Sequence, residues 1–356
     1  MRKILMYTIG AIIIIIGFSS FLFLNQKSFG RQPKGERLKL IKDSKNYVNG
    51  QFVNQINTQM MTGEDNMFTT MIKFLFNGNE EVRPREKFLI QKSDIKSIPI
   101  DKDFIIWFGH SSYLIQINGK RILVDPVFYK ASPVALFNKP FEGTDIFKAE
   151  DMPKIDFLII THDHWDHLDY ETVIKLKDKT SKVIVPLGVG EHFEYWNFPS
   201  EMMRELDWYE NTSFDGFKFY CLPARHFSGR GLKRNKTLWA SFMIETSQGE
   251  NIYIGGDSGY GPHFKEIGEK FPNISLAFLE NGQYNENWSK IHTLPSQLGK
   301  AANEIGAEET ITVHHSKFAL SYHPWNEPLK NEIDASMNDG FKLRILNIGE
   351  IEYINR

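Results

Sequence analysis

From Ile4 to Leu24 the chain reads ILMYTIGAIIIIIGFSSFLFL, with no charged residue. A helix of this length crosses a bilayer core of about 30 Å. Residues 4–24 are therefore expected to be an uncleaved membrane anchor. A cleaved signal peptide and a buried helix are the rival readings. The apolar run exceeds the usual ~7–15 residues of a signal, and no A-x-A site follows. Residues 25–98 then read as a basic linker and N-terminal extension. Within them Phe68, Met71, Ile72 and Leu75 recur at helical spacing.

The pattern changes at Asp103. FIIWFG, SYLIQI and RILVDPVF are short, apolar or alternating, and rich in β-branched and aromatic residues, as strands are. Asn118-Gly119 joins the last two, a hairpin signal because both residues tolerate positive φ. DFLIIT reads as a buried strand, YETVIKLKDK as a helix and KVIVPLG as a strand. FKFYCLPA, WASFMIET, NIYIGGD, ETITVHH and KLRILNIG extend the strand series, with helices at PHFKEIGEKF and LPSQLGKAANEIG. Residues 99–356 thus predict one α/β domain, two sheets with helices outside.

Composition narrows the chemistry. Of 356 residues, 41% are hydrophobic and 24% charged, enough for a sizeable core. The net charge of −2 and pI near 6.6 argue against nucleic acid as a partner. Cys221 is the only cysteine, which excludes an internal disulfide and a cysteine-based zinc cluster. Lys27, Arg31, Lys34, Arg37, Lys39 and Lys42 follow the apolar run, whereas only Arg2 and Lys3 precede it. The positive-inside rule then leans toward a cytoplasmic domain.

After DFLIIT comes THDHWDHLD, with three histidines and three aspartates in nine residues. His162 and His164 are two apart, so only an extended or tightly turned backbone aims both at one point. Asp166 and His167 diverge, which suits a second point nearby. The loop alone supplies too few donors for two ions. His226, Asp257 and His314 each follow a strand and supply more. We assign His162, His164 and His226 to one ion, Asp166, His167 and His314 to another, and Asp257 to a bridge. Such donors suit two divalent ions, zinc first, with manganese or iron as alternatives.

These residues, with WFGHSSYLIQINGKRILVDPVF, PARHFSGRGLKRNKTLWASF, IGGDSGYGPHFKEIG and VHHSKFALSYHPWNEP, resemble the metallo-β-lactamase superfamily. Within it the chain is similar to N-acylphosphatidylethanolamine-hydrolysing phospholipase D and its bacterial relatives. Ascorbate-6-phosphate lactonase is a more distant cousin. The resemblance implies an αβ/βα sandwich with the metal site at one edge. It also implies hydrolysis by a metal-bridging hydroxide, with Asp166 and Asp257 in the catalytic machinery. Relatives read roughly P-I-G-A-Y where this chain has ENGQY, Glu280 to Tyr284. His315 stands where the phospholipase branch commonly has an aromatic.

Further positions carry two readings each. His110 lines the substrate site or is a buried histidine near the ligands. Asp125 is expected to orient a ligand histidine from behind. Asp163 and Asp169 read as caps or turns, and Trp165 as packing beside the site. Arg230 is a candidate phosphate clamp, against a plain surface arginine. His292 and His323 are candidates to contact substrate or donate a proton to the leaving group, against structural histidines. Trp239, Tyr284 and His315 complete the expected substrate contacts. The leading expectation is a membrane-anchored phosphodiesterase of phospholipase D type acting on N-acyl phosphatidylethanolamine-like lipids. The alternatives are a lactonase, including one for phospho-sugar lactones, and a non-catalytic metal-binding sensor.

Overall fold

The computed structural model describes residues 2–65, 69–70, 80–134 and 137–354. Phe68, Met71, Ile72 and Leu75, with their helical spacing, lie outside these residues. The apolar run forms a helix, Arg2–Leu24, whose most apolar window has none of its residues buried. It is a candidate membrane span rather than a core helix. A short helix, Gly35–Asp43, and a small ladder of β1 (Tyr47–Val48) with β2 (Gln51–Phe52) follow.

The first large sheet begins with β3 (Phe104–Trp107), β4 (Tyr113–Ile117) and β5 (Lys120–Val124). It continues with β6 (Ile155–Ile159), β7 (Thr180–Pro186) and β8 (Met203–Leu206). The second contains β9 (Asn211–Phe214), β10 (Phe217–Leu222), β11 (Ser241–Glu245), β12 (Asn251–Ile254), β13 (Ile274–Glu280) and β14 (Glu309–Val313). The last strand, β15 (Ile351–Tyr353), returns to pair antiparallel with β3. The sheet orders are β15-β3-β4-β5-β6-β7-β8 and β14-β13-β12-β11-β10-β9.

Strand alternation explains the layering. On β4, β5 and β6 the residues Tyr113, Ile115, Ile122, Val124, Phe157 and Ile159 face the second sheet. Leu114, Leu123 and Leu158 face away, onto a layer that includes Val173 and Phe193 from the helices Tyr170–Leu176 and Gly190–Tyr195. On the second sheet Phe242, Ile244, Ile252 and Ile254 point inward. Met243 and Tyr253 point out to helices His263–Lys270, Pro295–Ile305 and Glu327–Asp339. The result is four layers, helix, sheet, sheet, helix. The β4–β5 turn has Asn118 at φ 48° and Gly119 at φ 73°, the left-handed pair its dipeptide favours.

Two expectations need correction. KLRILNIG is not a strand: Leu343 bridges Thr310 on β14, while Ile348 bridges Trp107 on β3. The segment crosses from the edge of one sheet to the edge of the other, so it runs along neither. The basic stretch after the apolar helix is also no free linker. Ile41 and Phe52 are fully buried in the inter-sheet core. Arg31 and Arg37 both pair with the buried Glu191 at 2.6 Å, and Arg37 also reaches Glu205 at 2.6 Å.

Candidate metal centre

The buried β6 hands the chain directly to the motif loop. After His164 the backbone turns back on itself, with His167 N and Leu168 N both donating to the His164 carbonyl at 3.2 and 2.8 Å. This turn separates the aims of His164 and His167. The other donors arrive at strand ends on the second sheet: His226 after β10, Asp257 after β12 and His314 directly after β14. Because β12, β13 and β14 are parallel neighbours, their ends lie along one edge of the sandwich. Side-chain donors of His162, His164 and His226 lie within 4.8 Å of one another, as do those of His110, Asp166, His167 and His314.

Asp257 stands between the two groups. Its Oδ1 is 3.1 Å from His167 Nε2 and 3.2 Å from His314 Nδ1. Its Oδ2 is 3.7 Å from His226 Nε2 and 3.9 Å from His162 Nε2. Each carboxylate oxygen thus faces a different group. Asp125 lies behind the loop, accepting from Thr161 N at 2.8 Å and Thr161 Oγ1 at 2.6 Å. Its Oδ2 is also 2.7 Å from His167 Nδ1, which leaves Nε2 of that ring for the centre. His110, Asp125 and His314 all have positive φ, at 55°, 40° and 71°. Such backbone is costly for residues other than glycine and clusters where function demands it.

The electrostatics fit a cation. Burial and neighbouring imidazoles push His162 well below its ordinary pKa, with His167 and His164 the largest of these neighbours. His226 and His314 are likewise pushed well below, first by burial, and His164 falls to about 4. All four rings are therefore neutral near pH 7. Yet His164 Nδ1 is 2.9 Å from His162 Nε2 and 3.2 Å from His226 Nε2. Three ring nitrogens thus converge on one point, where a shared cation would take the place of the single N–H of His164. Around His167 burial acts downward, but the carboxylates of Asp257, Asp166 and Asp125 hold its pKa well above the ordinary value. Its Nε2 and Asp257 Oδ1 are buried without a hydrogen-bond partner among the described residues. A positive charge is wanted there, and nitrogen and oxygen donors are ready to hold a metal.

Residues 120–315 match the Beta-lactamase superfamily domain. The chain belongs to the metallo-β-lactamase superfamily. An uncharacterized protein of Mycobacterium tuberculosis (strain ATCC 25618 / H37Rv) is 34% identical over 298 residues, covering 82% of this chain and 80% of that one. N-acyl-phosphatidylethanolamine-hydrolyzing phospholipase D 1 of Caenorhabditis elegans is 28% identical over 250 residues, 65% of this chain and 70% of the relative. Among solved structures, Igni18, a metallo hydrolase from Ignicoccus hospitalis KIN4/I, aligns with a TM-score of 0.55 at 19% identity. It covers 72% of this chain and 99% of its own. The four layers are thus the metallo-β-lactamase fold, and the protein is a metal-dependent hydrolase of that superfamily.

A cleft of about 290 Å³ opens over the candidate metal ligands of this hydrolase. Its lining combines His164, Asp166, His226, Asp257, His292 and His314 with Met60, Met61, Phe227, Trp288 and Leu320. His292 lies with its Nδ1 2.9 Å from Glu280 Oε2, which leaves Nε2 for the cleft. Glu280 also accepts from Thr293 N at 2.5 Å, so the carboxylate that departs from the family pattern fixes this histidine. A larger groove of about 590 Å³, between residues 81–88 and 324–330, contains none of these donors.

Several expected substrate contacts are instead committed elsewhere. Arg230 is buried and donates to the carbonyls of Ser28, Asp163 and Leu168, so no donor edge is left for a phosphate. Trp239 is buried among the inter-sheet residues and donates to Ala224 O at 3.0 Å. Tyr284 gives its hydroxyl to Glu327 at 2.8 Å. His315 is buried against Trp107, bonded to Thr312 and Ser316. His323 accepts from Gln283 N at 2.8 Å through Nε2, and its Nδ1 lies 2.8 Å from Pro324 O, which leaves nothing for a leaving group. His110 is fully buried with Nε2 3.0 Å from Asp166 Oδ2, so it meets a ligand rather than the cleft. Asp169 caps helix Tyr170–Leu176, and Asp163 accepts from Gly229 N and Thr237 Oγ1.

Two residues escaped the sequence reading. Asn54 bonds both backbone groups of His226, at 2.8 and 3.1 Å, from 172 positions away; no local signal could reveal it. Arg234 lines the cleft, its guanidinium 5.1 Å from the centre of the Phe227 ring. It is the only lysine or arginine among the described lining residues. GRGLKRNK holds several cations, and the sequence alone does not say which of them turns inward.

Proposed function

We propose that this hydrolase holds two divalent ions, zinc first, and cleaves the phosphodiester of a lipid such as N-acyl phosphatidylethanolamine. The observation that carries the reading is the cleft, whose lining brings candidate metal ligands together with apolar side chains and one arginine. A lipid phosphodiester has those three parts: a reacting phosphorus, an acyl body and a negative charge. His162, His164 and His226 take one ion, Asp166, His167 and His314 the other, and Asp257 the bridge between them. When bound, the ions supply an activated water and neutralise charge on the reacting group. Arg234 meets the phosphate charge, as a planar guanidinium suits. His292, steadied by Glu280, faces the departing alcohol. Asp125 and His110 orient His167 and Asp166. The relative named a phospholipase D supports this substrate class.

We further propose that Arg2–Leu24 anchors the protein in the membrane, with the domain on the cytoplasmic side. An alkaline phosphatase fusion after Gln26 tests the side; strong phosphatase activity overturns it. The function is tested by turnover of the purified full chain on N-acyl phosphatidylethanolamine, bis-p-nitrophenyl phosphate and a set of lactones. Diester cleavage is expected. Lactone turnover without diester cleavage contradicts the reading.

A further inference from the structure

The loop 229–236 touches the root of the apolar helix at one end and the metal cleft at the other. Arg230 donates to Ser28 O at 3.1 and 2.8 Å, and to the Asp163 and Leu168 carbonyls at 2.9 and 2.6 Å. A Cβ on Gly231 would stand 3.6 Å from Phe29 Cδ1. Phe29 in turn packs edge-on against Phe23, in the last turn of the apolar helix, with ring centroids 5.2 Å apart. On its other side Phe29 meets Trp165 of the motif loop at 5.0 Å. Four residues past Arg230, Arg234 lines the cleft. Between these fixed points Gly231, Leu232 and Lys233 are exposed, Leu232 at 85%.

A lone exposed leucine is ordinary on a soluble surface. This one is not in an ordinary place. If Arg2–Leu24 spans a bilayer, the membrane surface lies near Leu24 and Asn25, two ring contacts from Trp165. The exposed Lys27 and Lys34 follow the same helix end, and Lys233 adds a third cation on the loop. Basic residues beside a membrane helix attract anionic headgroups, and an apolar side chain among them enters the interfacial layer. The hydrogen bonds of Arg230 hold the base of the loop, so the tip stays between helix end and cleft.

We propose that the Gly231–Lys233 tip is a shallow membrane contact. Leu232 sits in the interfacial layer of the bilayer, and Lys233 meets its anionic headgroups. The contact sets the mouth of the cleft at headgroup level. It rests on the reading of Arg2–Leu24 as a membrane helix and needs no turnover to test.

The full chain carrying Leu232→Cys, labelled with an environment-sensitive fluorophore, is reconstituted in phosphatidylcholine–phosphatidylserine vesicles. Cys221 is buried, so labelling is confined to the new thiol. Lipids with a shallow nitroxide should quench this label several-fold more than one at Leu89→Cys, where the native leucine is 95% exposed. Adding Lys233→Glu should reduce that quenching about fivefold. Equal quenching at both positions, with the chain retained by the vesicles after an alkaline wash, overturns the contact alone. Loss of the chain in that wash overturns the membrane helix and the contact together. Neither outcome bears on which bond the enzyme cleaves.

Discussion

The two halves of the candidate metal centre are built differently. The group formed by His162, His164 and His226 is all imidazole, with its rings kept neutral by burial and by one another. Both halves reach the cleft, this one through His164 and His226 and the other through Asp166 and His314. The group formed by Asp166, His167 and His314 has carboxylate inside it and Asp125 behind it. There burial pushes Asp166 upward, but His167 and His110 overcome it and hold the carboxyl below its usual range. One half is a neutral cage; the other contains carboxylate and has Asp125 behind it. The difference teaches that two ions, as proposed, would not be equivalent. The carboxylate half should hold its metal more tightly, and the imidazole half should exchange it more readily.

The comparison is broken most severely at the residue the halves share. Asp257→Asn is expected to lower turnover by about a thousandfold or more and to cut metal content in both halves, read by elemental analysis and initial rates. Next, His226→Ala should empty the imidazole half first, leaving close to one equivalent of metal, whereas the tighter ion stays through the same dialysis. An equal loss from both halves would contradict the asymmetry. Asp125→Asn removes the negative charge and one of the two acceptor oxygens behind His167 and should weaken the carboxylate half by roughly 10–100-fold in affinity. Chelator competition measures it, and no change would mean that His167 is oriented by something else. Arg234→Gln touches neither half, so metal content should be unchanged. It should raise KM for anionic diesters about tenfold and leave neutral esters unaffected. Smallest for the chemistry is Arg37→Ala, which loosens the arm that carries Asn54. It should cost about 1–3 kcal/mol of stability by urea titration, because Glu191 keeps Arg31 as a partner.

Legibility followed the same division between local and distant. The motif loop lies in nine consecutive residues, and His226, Asp257 and His314 each follow a strand, so periodicity plus donor type points to these seven. His110, Glu280 and His292, which the structure also brings into metal-binding range, were not read as ligands. The two sheets were readable for the same reason: alternation on β4, β5 and β6 is local information. What stayed hidden depends on partners far along the chain. Whether Arg230 or Arg234 faces the cleft is decided by carbonyls at Ser28, Asp163 and Leu168. His323 has the right residue type for proton transfer, yet its two nitrogens are taken by main-chain groups. The arm looked like a linker because its cations are visible in sequence, while their buried partner Glu191 lies more than 150 positions away.

The proposal of an asymmetric pair of ions, bridged by Asp257, is tested most directly by metal stoichiometry. Elemental analysis of the purified full chain should give two equivalents per chain in the wild type. Stepwise chelation should remove one ion well before the other. One equivalent in the wild type, unchanged in Asp257→Asn, would contradict the account.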